Sequence, residues 1–79
     1  APAPEPDDPA IALLTPRERE VVELAALGLT NADIAERLYL STLTVKTHAN
    51  RAMMKLAVRD RAQLVAYAYR SGLVSPRGE

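Results

Sequence analysis

No cysteine, phenylalanine or tryptophan occurs among the 79 residues, histidine occurs once, and aromatic side chains are confined to Tyr39, Tyr67 and Tyr69. Without cysteine neither a disulfide framework nor a thiolate metal site can hold so small a fold, and a reducing cytoplasm is the expected setting. Without large aromatics the core must come from Leu, Ala, Val, Ile and Met, a composition suited to closely packed short helices rather than a broad sheet. A chain of this length buries only about 60% of the surface its unfolded form exposes, so packing has to be economical. No apolar run approaches the roughly 20 residues of a membrane span. The N-terminus also lacks the basic-then-apolar order of a signal peptide, so no membrane partner is expected.

Catalytic groupings are missing too. His48 has no partners at metal-ligand or acid–base spacing, which makes it a packing or phosphate-edge residue. Ser41 and Thr44 lack the Gly-rich turn and the base that a nucleophile needs, and read as helix-start residues. No enzyme activity, metal or cofactor is expected.

Formal net charge is zero, which argues at first against nucleic acid, but its distribution is uneven. Glu5, Asp7 and Asp8 stand in the first ten residues without a base, leaving ten Lys and Arg against seven Asp and Glu over residues 11–79. Within residues 41–61 the basic Lys46, Arg51, Lys55, Arg59 and Arg61 face Asp60 alone. The footprint is therefore local.

Residues 1–13, rich in Pro, Ala and acid, read as a flexible linker ahead of one domain spanning 14–79. That domain is punctuated as an all-α, four-helix unit. Thr15-Pro16-Arg17-Glu18 supplies a capping box with proline at the first helical position, and Gly28 closes helix one after Leu27. Thr30 or Asn31 caps a short helix two with the stripe Ile34, Ala35 and Leu38. Ser41 caps helix three, whose inward positions are Val45, Ala49, Ala52, Met53 and Leu56. Asp60 and Gln63 repeat the capping-box spacing before helix four, which runs through Ser71 to Gly72. Its residues Ala62, Val65, Ala66 and Tyr69 form one side, and Leu64 and Ala68 part of another.

Helix three turns Lys46, Thr47, Asn50 and Arg51 away from its inward stripe, together with Leu43 and Met54. Two helices joined by a short turn, the second polar and basic outside, form the arrangement that lays a recognition helix, here about Thr42–Leu56, in the major groove of double-stranded DNA. Lys, Asn and Thr can read base edges there, while Lys, Arg and hydroxyl groups hold phosphates. Leu43 and Met54 could equally present a partner surface, and Leu43, near the helix start, also suits a thymine methyl.

The stretch from Leu14 to Leu73 resembles the C-terminal domain of LuxR-type regulators, including response regulators akin to NarL and FixJ. The resemblance is carried by LTPRE, GLTNADIA, Ser41 with Thr44-Val45-Lys46 and His48, the Lys55-Leu56 pair, and Arg61 ahead of the last helix. It implies a transcription-regulating helix-turn-helix in which Lys46, Thr47 and Asn50 face bases and Thr30, Asn31, Ser41, Thr44, Arg51 and Lys55 face the backbone. It also implies homodimerisation on DNA through helix four, for which Leu64 and Ala68 are the candidates. A receiver or sensor domain would precede this one, and RNA polymerase is a further partner for such a regulator. Two positions depart from the family. Ala57 stands where glycine is common, so helix three should run longer or end in mild strain. Ala52 replaces a branched aliphatic, with Met53 available to fill the space.

Two other readings fit parts of this pattern. A sigma-factor-like promoter-recognition domain shares the helix-turn-helix but does not account for the Arg61-to-Leu73 helix closed by Gly72. A helical protein-interaction module would use Leu43, Leu64 and Met54, and would lack the steep salt dependence that phosphate contacts impose.

Overall fold

The computed structural model describes residues 9–75. A 3-10 helix at Pro9–Leu13 leads into four α-helices, α1 (Pro16–Ala26), α2 (Asn31–Leu38), α3 (Thr42–Leu56) and α4 (Arg61–Arg70). No strand occurs among the described residues. Each helix begins at a side chain that accepts one of the free amides of its first turn. Thr15 accepts from the Glu18 amide, Thr30 from Asp33, Ser41 from Thr44 and Asp60 from Gln63. The boxes of α1 and α2 are reciprocal, but in α4 Gln63 reaches past Asp60 to accept from the Arg59 amide at 2.8 Å.

The ends follow the same logic. Gly28, at φ 94°, closes α1 with its amide on the Ala25 carbonyl at 3.0 Å and the Leu29 amide on Leu24 at 3.2 Å. At the end of α3 the Ala57 amide reaches Met54 at 3.3 Å and the Val58 amide reaches Met53 at 3.0 Å, with Ala57 itself left-handed at φ 57°. Alanine thus occupies a glycine conformation, and α3 stops at Leu56 instead of running longer. Strain, not extension, is the outcome of that departure.

The core has two parts that share α1 and α3. Val21 and Ala25 of α1 meet Ile34, Ala35, Val45 and Ala49, which seats α2 against the first half of α3. On the neighbouring face of α1, Val22 and Ala26 meet Ile11, Ala52, Leu56, Leu64 and Ala68. Ala52 is fully buried and Met53 packs beside it. The spacing of α1, with buried residues at 21, 22, 25 and 26, is that of a helix covered on two adjacent flanks.

Two sequence expectations are corrected here. Residues 9–13 are not linker: the 3-10 helix buries Ile11 to 5% exposure in the core, so the folded unit starts at least as early as Pro9. The acidic residues Glu5, Asp7 and Asp8 lie outside the described residues. Leu64 and Ala68 do not form an outer surface, because at 1% and 0% exposure they cover Val22 and Ala26 of α1. The outer side of α4 carries Ala62 and Ala66, both exposed, with Val65 and Tyr69 half-buried beside them.

Candidate nucleic-acid interface

Helices α2 and α3 are joined by Tyr39, Leu40 and Ser41, and the turn is made by Tyr39 in the left-handed region at φ 58°, ψ 43°. The Leu40 amide returns to the Ala35 carbonyl at 2.9 Å, and Leu40 packs into the Ile34–Val45 cluster. This fixes the start of α3 at Ser41.

Opposite the buried Val45, Ala49, Ala52 and Leu56, the exposed residues Leu43, Lys46, Thr47, Asn50 and Met54 recur three and four apart, with Arg51 beside them. That is one continuous face of a 15-residue helix, about 22 Å long at 1.5 Å per residue. Lys46, Asn50 and Arg51 make no side-chain hydrogen bond or ion pair among the described residues, whereas Arg17 and Arg19 of α1 pair with Glu20 and Glu23 at 3.7 and 3.4 Å. Arg37, Arg59 and Arg70 are likewise without such a partner among the described residues, but only α3 sets two basic groups and an amide, all uncommitted, close together on one helix.

The hydroxyl residues are more constrained. Ser41 Oγ accepts the Thr44 amide at 3.0 Å and lies 2.8 Å from Thr44 Oγ1, so both serve the helix start. Thr30 Oγ1 accepts the Asp33 amide at 3.1 Å, and Thr47 Oγ1 donates to the Leu43 carbonyl at 3.0 Å. Asn31 receives Arg61 Nη1 on Oδ1 at 2.8 Å, which leaves its amide NH2 as the outward donor. Arg61 Nη2 also donates to the Leu29 carbonyl, so α4 holds the start of α2 through a two-pronged contact. The sequence singled out Arg61 but not this partner, because the two segments are 30 residues apart.

Lys55 is the clear exception among the expected backbone contacts. Its Nζ lies 2.6 Å from Glu18 Oε1, and Glu18 is 2% exposed. The same carboxylate oxygen accepts the Thr15 amide at 3.0 Å. Burial pushes the Glu18 pKa upward, but the Lys55 and Thr15 hydrogen bonds and the charges of Lys55 and His48 outweigh it and hold the group below its ordinary value. Lys55 thus neutralises a buried acid in this structure.

Among the described residues no group of His, Cys, Asp or Glu could hold a metal ion, and no helix is long and apolar enough to cross a membrane. Residues 12–68 match the family model of bacterial regulatory proteins, luxR family. The chain belongs to that family. Similar relatives include the uncharacterized transcriptional regulatory protein YxjL of Bacillus subtilis, 50% identical over 60 residues covering 76% of this chain and 28% of that protein. The transcriptional regulatory protein LiaR of Bacillus subtilis is 47% identical over 62 residues, 78% of this chain and 29% of its own length. The response regulator protein VraR of Staphylococcus aureus is 42% identical over 62 residues, with 78% and 30% covered. The chain therefore spans less than a third of the length of these relatives. It is an all-α DNA-binding domain of the luxR family, a family of transcription regulators and not of enzymes.

Proposed function

We propose that this domain binds double-stranded DNA sequence-specifically by inserting α3 into the major groove, as the output part of a response regulator or related regulator. The observation that carries the reading is the outward face of α3, where Lys46 and Asn50 are exposed and have no side-chain partner among the described residues. A lysine and an amide at one helical turn from each other match the acceptor and donor patterns of purine edges. Arg51, the Asn31 amide group and the first-turn amides of α2 and α3 flank them as phosphate donors, with Thr30, Ser41 and Thr44 at those helix starts. Lys55 has no part in this reading.

Pairing on DNA through helix α4 uses the exposed side with Ala62 and Ala66, since Leu64 and Ala68 pack on α1 and the Tyr69 hydroxyl donates to the Ala26 carbonyl. Exposed alanines let two such helices approach closely, and a two-fold pair would favour inverted half-sites. The preceding receiver or sensor domain, RNA polymerase as a partner and a cytoplasmic setting belong to the same proposal. Selection of duplexes from a random pool by this chain tests it. An enriched inverted-repeat motif with steep salt dependence is the expected result; a pool that stays random overturns sequence-specific reading by this chain and favours a protein-interaction role for its outward face.

A further inference from the structure

Four residues of α3, Leu43, Lys46, Thr47 and Asn50, share its outward face over the first two turns, and they divide into two chemical kinds. Lys46 and Asn50 keep their hydrogen-bonding groups uncommitted. Thr47 does not. Its hydroxyl lies 3.0 Å from the Leu43 carbonyl, and because a carbonyl can only accept, the Thr47 proton is spent inside the helix. What Thr47 can offer a base is a methyl group and an oxygen that only accepts. It has no proton to give to the O4 of thymine or to the O6 and N7 of guanine.

One turn earlier, Leu43 is 72% exposed. A single exposed leucine on a protein surface needs no explanation. This one stands four residues before Thr47 and three before Lys46, so its side chain is a neighbour of both on the helix surface. The two positions together form an apolar spot inside an otherwise polar reading face. In the major groove only thymine, among the four bases, presents an apolar group, its C5 methyl.

We infer that Leu43, with Thr47 beside it, contacts the C5 methyl of one thymine in the bound duplex, so that one base is read by shape and apolar contact instead of hydrogen bonds. This rests on α3 being the helix that enters the groove. Removing the methyl leaves pairing and the O4 acceptor intact, which makes uracil the matching probe.

The experiment takes a duplex selected by the 79-residue chain and replaces its thymines one at a time with deoxyuridine, measuring Kd for the parent, Leu43→Ala and Thr47→Val. One position should lose about threefold to fivefold in affinity with the parent, the worth of one buried methyl group. The same replacement should leave Kd unchanged with Leu43→Ala, whose exposed site makes a folding defect unexpected and whose melting temperature checks this. Thr47→Val, which keeps a methyl and discards the hydroxyl, should retain the thymine preference. A scan that is flat for the parent on a duplex it selects overturns the methyl contact while leaving DNA binding intact, and so does a uracil penalty that persists in Leu43→Ala. Loss of the preference in Thr47→Val overturns the part given to Thr47. If the parent selects no duplex at all, the groove reading and the methyl contact fall together.

Discussion

Lys55 in the last turn of α3 and Glu18 in the first turn of α1, 37 residues apart, are joined by a 2.6 Å contact between Nζ and Oε1. The carboxylate is the one buried charged group among the described residues, so the lysine is what makes its burial tolerable.

Lys55→Ala should therefore destabilise the fold by about 3 kcal/mol, because it strands a buried carboxylate. Adding Glu18→Gln to that variant should recover a substantial part. Urea unfolding of the three proteins measures both steps. In salt titrations of DNA binding, performed where the variants are folded, the slope should not change. A slope reduced by about one unit would return Lys55 to the phosphate backbone.

The pH dependence follows from the same pair. Glu18 has a folded-state pKa below its ordinary value of 4.5. Its charged form is therefore favoured by folding, and that contribution is fully present above the unfolded value and is lost as pH falls through the folded one. Thermal unfolding scanned downward from pH 6 should show a loss of stability beginning near the ordinary glutamate range. Glu18→Gln should flatten that part of the profile.

Ala57→Gly should stabilise the domain by about 0.5–1 kcal/mol. It removes the left-handed penalty of a Cβ at φ 57°, partly offset by the greater freedom of glycine in the unfolded chain. For a domain of this size that corresponds to a rise in Tm of several degrees, about 2 to 8 °C. A fall in Tm would mean that the Ala57 methyl is worth more than the strain.

Asn50→Ala should relax base preference at one or two positions of the selected motif at a cost of about 1–3 kcal/mol, with binding to unrelated duplexes nearly unchanged. Arg51→Ala should instead weaken all duplexes alike and lower the salt slope by about one. Sequence logos and salt titrations of each variant separate the two, and an exchange of their behaviours would mean that α3 docks with a different rotation.

Ala66→Glu places a charge on the outer side of α4, away from the buried Leu64 and Ala68. It should abolish cooperative binding to an inverted repeat while leaving single half-site affinity unchanged. Unaltered cooperativity would exclude that side of α4 from pairing.

The sequence carried the helix limits well because caps are local signals. Thr15, Thr30, Ser41 and Asp60 each act within three residues, and α3 occupies Thr42–Leu56 as its stripe and cap imply. Its outward face was legible for the same reason, since helical phase needs only spacing. What needed the third dimension was not. Helix α4 has two apolar sides, and only the need of Val22 and Ala26 for cover decides that Leu64 and Ala68 turn inward. Lys55 looks like any outward lysine until α1 brings Glu18 to it. Ile11 was hidden by the composition around it, because proline and acid dominate a segment in which one isoleucine docks.

Two residues without glycine's freedom, Tyr39 and Ala57, adopt left-handed backbone on either side of α3. Together they act as stops that set the rotational phase of the helix, since at about 100° per residue a one-residue insertion between Tyr39 and Val45 would swing the whole outer face round toward the core. Deletion there should be equally disabling. Point changes at 43, 46, 47 and 50 meet no such obstacle, for they sit on exposed positions whose neighbours in the core are untouched. Scaffold and outward face are thus separable in this domain: the stops and the buried side hold α3 in place, and its exposed residues can change without disturbing that hold.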